Sequence, residues 1–117
     1  MLFNKRVTVT IASGAALSEA IPVGDLVADA GLVIMPGTWT AANLGFKVAD
    51  VENGVYVPLR DETGTLVEIS GIQTGAAGAY KLPASLRGAP YVKLWSESSG
   101  SDANQAGARS IILVGKG

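Results

Sequence analysis

A chain of 117 residues, 48% hydrophobic and 16% charged with a formal net charge of −1, is long enough to bury one core and too short for two. The balanced charge offers neither the basic stripe that nucleic acid requires nor a polybasic membrane contact. Cysteine and histidine are both absent, which excludes disulfides and thiolate chemistry and removes the commonest general base and metal ligand.

In chain order, Lys5 and Arg6 follow a very short apolar start. A secretory leader would place its charges ahead of an unbroken apolar run of about 7–15 residues, so a soluble, unexported product is expected. Residues 1–5 read as an extended arm. From Arg6 to Ile11, Val7, Val9 and Ile11 share one face and Thr8 and Thr10 the other, the period of a half-buried strand. Ala16–Val23 follows, anchored by Leu17 and Ile21, then a turn at Gly24-Asp25. Gly31–Met35 is continuously apolar and reads as a central strand. A single helical turn is expected at Gly37–Ala42. Beyond Asn43, Leu44, Phe46 and Val48 alternate with Gly45 and Lys47.

Asn53-Gly54 is the strongest local hairpin signal in the chain, followed by a strand at Val55–Leu59. Glu62-Thr63-Gly64 is a turn, and Thr65–Ile69 the next strand, with Gly71 a further turn former. Ala79–Leu82 precedes Pro83–Gly88, whose early proline and final glycine suit one helical turn. Tyr91–Trp95 and Arg109–Val114 complete the set. The polar run from Ser96 to Gly107 reads as an exposed loop, either a connector or an ordered contact segment. About eight or nine short strands without intervening helices predict a single all-β domain over residues 1–117. Such a pattern suits a sandwich or a barrel, and the architecture expected is an antiparallel, jelly-roll-like β-sandwich.

Little catalytic chemistry is left to such a chain. It contains no G-x-S-x-G elbow, no phosphate-binding glycine loop and no S-x-x-K. Asp61-Glu62 and the pair Asp25 and Asp29 are the acidic clusters. Adjacent turn carboxylates point apart and suit solvent better than a glycosidase pair, which must be held across a cleft. Their other use is a calcium site, since carboxylates and turn carbonyls suit a hard cation. No enzyme activity, cofactor or resident metal is expected. Trp39, just past the presumed central strand, reads as a core plug, and its alternative is a sugar-stacking surface. Tyr91, Lys93 and Trp95 lie opposite Val92 and Leu94. With the latter pair in the core, Trp95 faces outward, available for a subunit contact.

The order of these landmarks carries a resemblance. Ile34-Met35-Pro36, then Thr38-Trp39-Thr40-Ala41-Ala42-Asn43-Leu44 and Phe46, is similar to a motif in small virion-associated proteins of tailed bacteriophages. Arg60–Gly64, Pro83–Leu86, Tyr91–Leu94, the Ser/Gly-rich loop, Asn104-Gln105-Ala106 and Arg109–Val114 follow in the same order. The match runs over roughly residues 7–114. Lys47–Glu52 departs from it, replacing a more polar turn. The resemblance implies a jelly-roll fold and a capsid decoration, cement or head-fibre role on the virion head surface after assembly in the host cytoplasm. It also implies the major capsid protein as partner and self-association, with a trimer favoured. Trp39, Tyr91, Lys93, Trp95, Asn104 and Gln105 are the contact candidates. A tail, fibre or neck accessory and a glycan-binding module using exposed aromatics are the alternatives. The N-terminal strand Lys5–Ile11 is a candidate for addition to a neighbouring sheet edge.

Overall fold

A computed structural model describes residues 4–23 and 27–116. Ten strands occur in it: β1 (Asn4–Ile11), β2 (Ile21–Pro22), β3 (Val27–Met35), β4 (Ala42–Ala49), β5 (Val57–Pro58), β6 (Glu68–Ile72), β7 (Gly78–Lys81), β8 (Tyr91–Ser98), β9 (Ser101–Asp102) and β10 (Arg109–Lys116). They form two antiparallel sheets. One has the order β1-β10-β3-β7, and the other β2-β8-β4-β5, with β6 also on β4 and β9 on β8.

With β5 and β9 set aside, the topology is a folded-back ribbon. The first half of the chain supplies β1, β2, β3 and β4, and each pairs with a strand of the second half taken in reverse: β10, β8, β7 and β6. Successive strands of the ribbon cross from one sheet to the other, which makes the sandwich a jelly roll.

The alternation explains which side of each strand is buried. Val9, Ile11, Val33, Met35, Ile111 and Leu113 from one sheet meet Leu44, Phe46, Val92 and Leu94 from the other in a continuous core. Trp39, on the turn after β3, is 0% exposed within it. Its indole N–H donates to the Ala42 carbonyl at 3.2 Å, which satisfies the polar edge of a buried ring.

Several local expectations differ from the structure. Ala16–Val23 holds only the short β2, because Pro22 cannot donate to a ladder; Leu17 and Ser18 make isolated bridges to Trp95 and Ile11. Asn53-Gly54 is not a two-residue hairpin: Gly54 closes a turn by donating to Val51 O at 3.0 Å, inside a longer β4–β5 loop. The segment Gly37–Ala42 is a turn and bend, while Ala84–Gly88 forms the expected single turn as a 3-10 helix. The Ser96–Gly107 run is ordered, since β8 continues to Ser98 and folds back through β9. Gly24-Asp25 and residues 1–3 lie outside the described residues. Asn4 and Lys5, expected in an arm, pair with Lys116 and Gly115.

Candidate functional site

The registers place two rows of side chains on the outside of the four-stranded sheet. Thr8, Ile112, Ile34 and Ala79 form one row, and Arg6, Val114, Leu32 and Lys81 the next. Leu32 and Ile34 are 42% and 38% exposed, and Ile112 and Val114 beside them are half-buried. The centre of this face is an aliphatic patch with Thr8, Arg6 and Lys81 at its margins.

On the outside of the other sheet, the largest aromatic residue is covered by the chain itself. Trp95 does lie on the face opposite Val92 and Leu94, but it is 1% exposed; it therefore offers no ring to a subunit or a sugar. Gly45 is its cross-strand neighbour, and a Cβ there would sit 2.9 Å from Trp95 Cε3 and 3.0 Å from Glu97 Cγ. The missing side chain is what lets the indole lie flat across β4. Lys47 Nζ stands 4.6 Å from the centroid of that indole, and Trp95 Nε1 donates to Asp102 Oδ1 at 2.7 Å. Next along, Lys93 Nζ stands 4.5 Å from the Tyr56 centroid. Each cation–π contact of this kind contributes about 0.5–2 kcal/mol, depending on desolvation. Tyr91 and Lys93 are both half-buried.

At the end of this face lies a polar cluster for which the sequence carried no motif. Asn43 and Glu97 are register partners. Asn43 Nδ2 reaches Glu97 Oε1 at 3.5 Å and Glu68 Oε2 at 3.4 Å. Its Oδ1 accepts the Gly71 N–H at 2.8 Å, where Gly71 takes φ 69° at the register shift between β4 and β6. A bulge frees a backbone donor, and Asn43 takes it up. Glu97 is 0% exposed, and among the described residues its Oε2 has no hydrogen-bond partner. Burial, followed by the Glu68 carboxyl, pushes its pKa up to about 7. The detectable signal was Glu97 at the start of a polar run directly following an alternating strand.

Gln105 is a structural hub. It is 1% exposed, and both ends of its amide are used. Its Oε1 accepts from Thr40 N at 2.7 Å and Arg109 Nε at 3.1 Å, while its Nε2 donates to Thr40 O at 3.0 Å and Ser96 Oγ at 2.9 Å. These bonds tie the turn bearing Trp39 to the loop before β10. Asn104 next to it is exposed.

Asp61 is committed to its turn. Its Oδ1 accepts from Thr63 Oγ1 at 2.7 Å, Thr63 N at 2.9 Å and Thr65 N at 3.0 Å. Those bonds, the Thr63 hydroxyl first, hold its carboxyl below the usual carboxylate range. Glu62 is exposed. Asp25 lies outside the described residues, and so does the side chain of Asp29, whose backbone belongs to β3. Among the described residues, no three acidic, His or Cys side chains are grouped to hold a metal ion. An open groove of about 460 Å³ runs at one end of the sandwich, between Val48, Val55, Val57, Leu59 and Pro90.

No family model matches the sequence. Among solved structures, the fold is similar to that of the SPBc2 prophage-derived protein YomS. The TM-score is 0.51 and the identity 16%, over 98% of this chain and 96% of that one. At that identity the likeness concerns the fold.

Proposed function

We propose that this chain is a non-catalytic structural subunit of a tailed-phage virion, a head decoration or cement protein that binds the major capsid protein. The observation that carries the reading is the contrast in exposure. Trp39 and Trp95 are both buried, while the aliphatic centre of the four-stranded sheet is left bare at Leu32 and Ile34. A glycan-binding sandwich presents exposed rings, and these two indoles are spent on packing. Exposed apolar surface on a small domain is characteristic of protein contacts.

Two further observations support the class. The order of landmarks from Ile34-Met35-Pro36 to Arg109–Val114 resembles that of tailed-phage virion proteins, and a prophage-derived protein shares the fold over nearly its whole length. The contact surface is the face carrying Leu32, Ile34, Ile112 and Val114, flanked by Arg6 and Lys81. The oligomer that the resemblance implies is a trimer.

Light scattering on the eluting protein, together with co-sedimentation on purified heads of the encoding phage, tests this. A trimer that pellets saturably with heads is expected. A monomer that ignores heads and binds a glycan array would overturn it, and retention on tails instead of heads would reassign the particle site.

A further inference from the structure

The cluster of Asn43, Glu68 and Glu97 joins three strands. Glu97 lies on β8, Asn43 on β4 and Glu68 on β6, and the two carboxyl groups meet across β4 above Gly45. Three of the four carboxyl oxygens are supplied with donors. Glu97 Oε1 receives Asn43 Nδ2 and Gly100 N, Glu68 Oε2 receives Asn43 Nδ2, and Glu68 Oε1 receives Ser70 Oγ at 3.4 Å. Among the described residues Glu97 Oε2 alone has none, and it is buried. It lies 3.3 Å from the Cβ position of Gly45, and Asn43 Nδ2, which donates to both carboxyl groups, draws them to one point.

What would complete the fourth oxygen follows from its surroundings. A calcium ion requires about six to eight oxygen ligands, and one free oxygen beside an amide N–H cannot begin such a shell. Nor, among the described residues, does a cationic side chain reach it. From β4 the nearest, Lys47, is held over the Trp95 ring. From β9 the facing group is Asp102, another carboxylate, engaged by Trp95 Nε1. From β6 it is Glu68. A proton fits: on Glu97 Oε2 it turns an orphan acceptor into a donor toward the neighbouring carboxylate.

We infer that Glu97 and Glu68 share one proton as a clasp across β4, and that losing this proton releases the edge strand β6 from the sheet. Strand β6 is suited to release because, among the described residues, it pairs with β4 alone. Its register is already interrupted at Gly71, where Asn43 of the same cluster holds the free amide. A buried carboxylate at Glu97 and a half-buried one at Glu68 repel when both are charged without a cation between them, and the strand carrying Glu68 is the one able to move. The raised pKa of Glu97 places the release near neutral pH.

Two measurements on the full chain test this. Carboxyl-carbon NMR on glutamate-labelled protein should show one group titrating near pH 7, lost in Glu97→Gln and moved down in Glu68→Gln. Hydrogen exchange at the β6 amides, corrected for the intrinsic pH dependence, should accelerate about tenfold between pH 6 and 8. In Glu97→Gln, whose amide donates to Glu68 at every pH, that acceleration should vanish. The clasp is overturned if every glutamate titrates below about pH 5. It is equally overturned if Glu97→Gln opens β6 with the wild-type pH profile.

Discussion

On the outside of the four-stranded sheet Leu32 is 42% exposed, whereas on the outside of the facing sheet the larger Trp95 is 1% exposed. Both faces obey the same strand alternation; they differ in what the neighbouring strands supply. Beside Trp95 stands Gly45, which makes room for the ring, with Lys47 and the β8–β9 hairpin to close over it. Beside Leu32 stand Val114 and Lys81, and beside Ile34 stand Ile112 and Ala79, side chains too short or wrongly placed to form a cover. A face sealed by its own chain adds to the stability of the fold, and a bare one is available for assembly. Substitutions on the two should therefore separate stability from association.

The largest effect is expected on the sealed face. Trp95→Ala should lose about 3–5 kcal/mol in denaturant unfolding, as large buried aromatics do. A loss under about 1 kcal/mol would show the indole to be loosely covered. Next comes Gly45→Ala, whose methyl would meet both Trp95 and Glu97 at about 3 Å; overpacking of this kind costs about 1–3 kcal/mol, measured the same way. Retention of full stability by this variant would show that the ring shifts freely.

The pH dependence sharpens the comparison further. Glu97 holds its proton up to about pH 7 in the folded chain, against 4.5 for an ordinary glutamate. Between those values the folded state binds more protons than the unfolded one, so stability falls as pH rises from about 4.5 to 7 and then levels off. Glu97→Gln should flatten that slope and exceed wild type above pH 7. The lowered Asp61 carboxyl works in the opposite sense, adding stability that is lost only as pH falls below 3.8, so the two windows do not overlap. The smallest effect on folding belongs to the bare face: Leu32→Ser should shift unfolding by no more than about 0.5 kcal/mol while weakening co-sedimentation with heads.

Much of the fold was legible because period-2 alternation reports directly on half-buried strands. Val7, Val9 and Ile11, or Leu44, Phe46 and Val48, could point one way only. The limits of legibility are just as physical. Alternation places Trp95 on the outer side of β8 but is silent on what lies across from it, and the covering groups come from Gly45 and Lys47 on another strand and from Asp102 beyond a turn. Gln105 and Glu97 sit in a polar run that reads as a loop, and their burial depends on partners up to 65 residues away in sequence, as with Thr40 and Gln105. Asn53-Gly54 misled for a related reason. Tyr56 donates to Glu52 O at 2.7 Å, which stabilises a wider loop than the dipeptide alone favours.

Whether the bare face is the one that assembles is decided by co-sedimentation of the Leu32→Glu/Ile34→Glu variant with purified phage heads, alongside the wild type. Assembly through this face requires that the wild-type chain pellet with heads and that the variant, folded and with an unchanged unfolding midpoint, stay in the supernatant. A variant that pellets as the wild type does would contradict it.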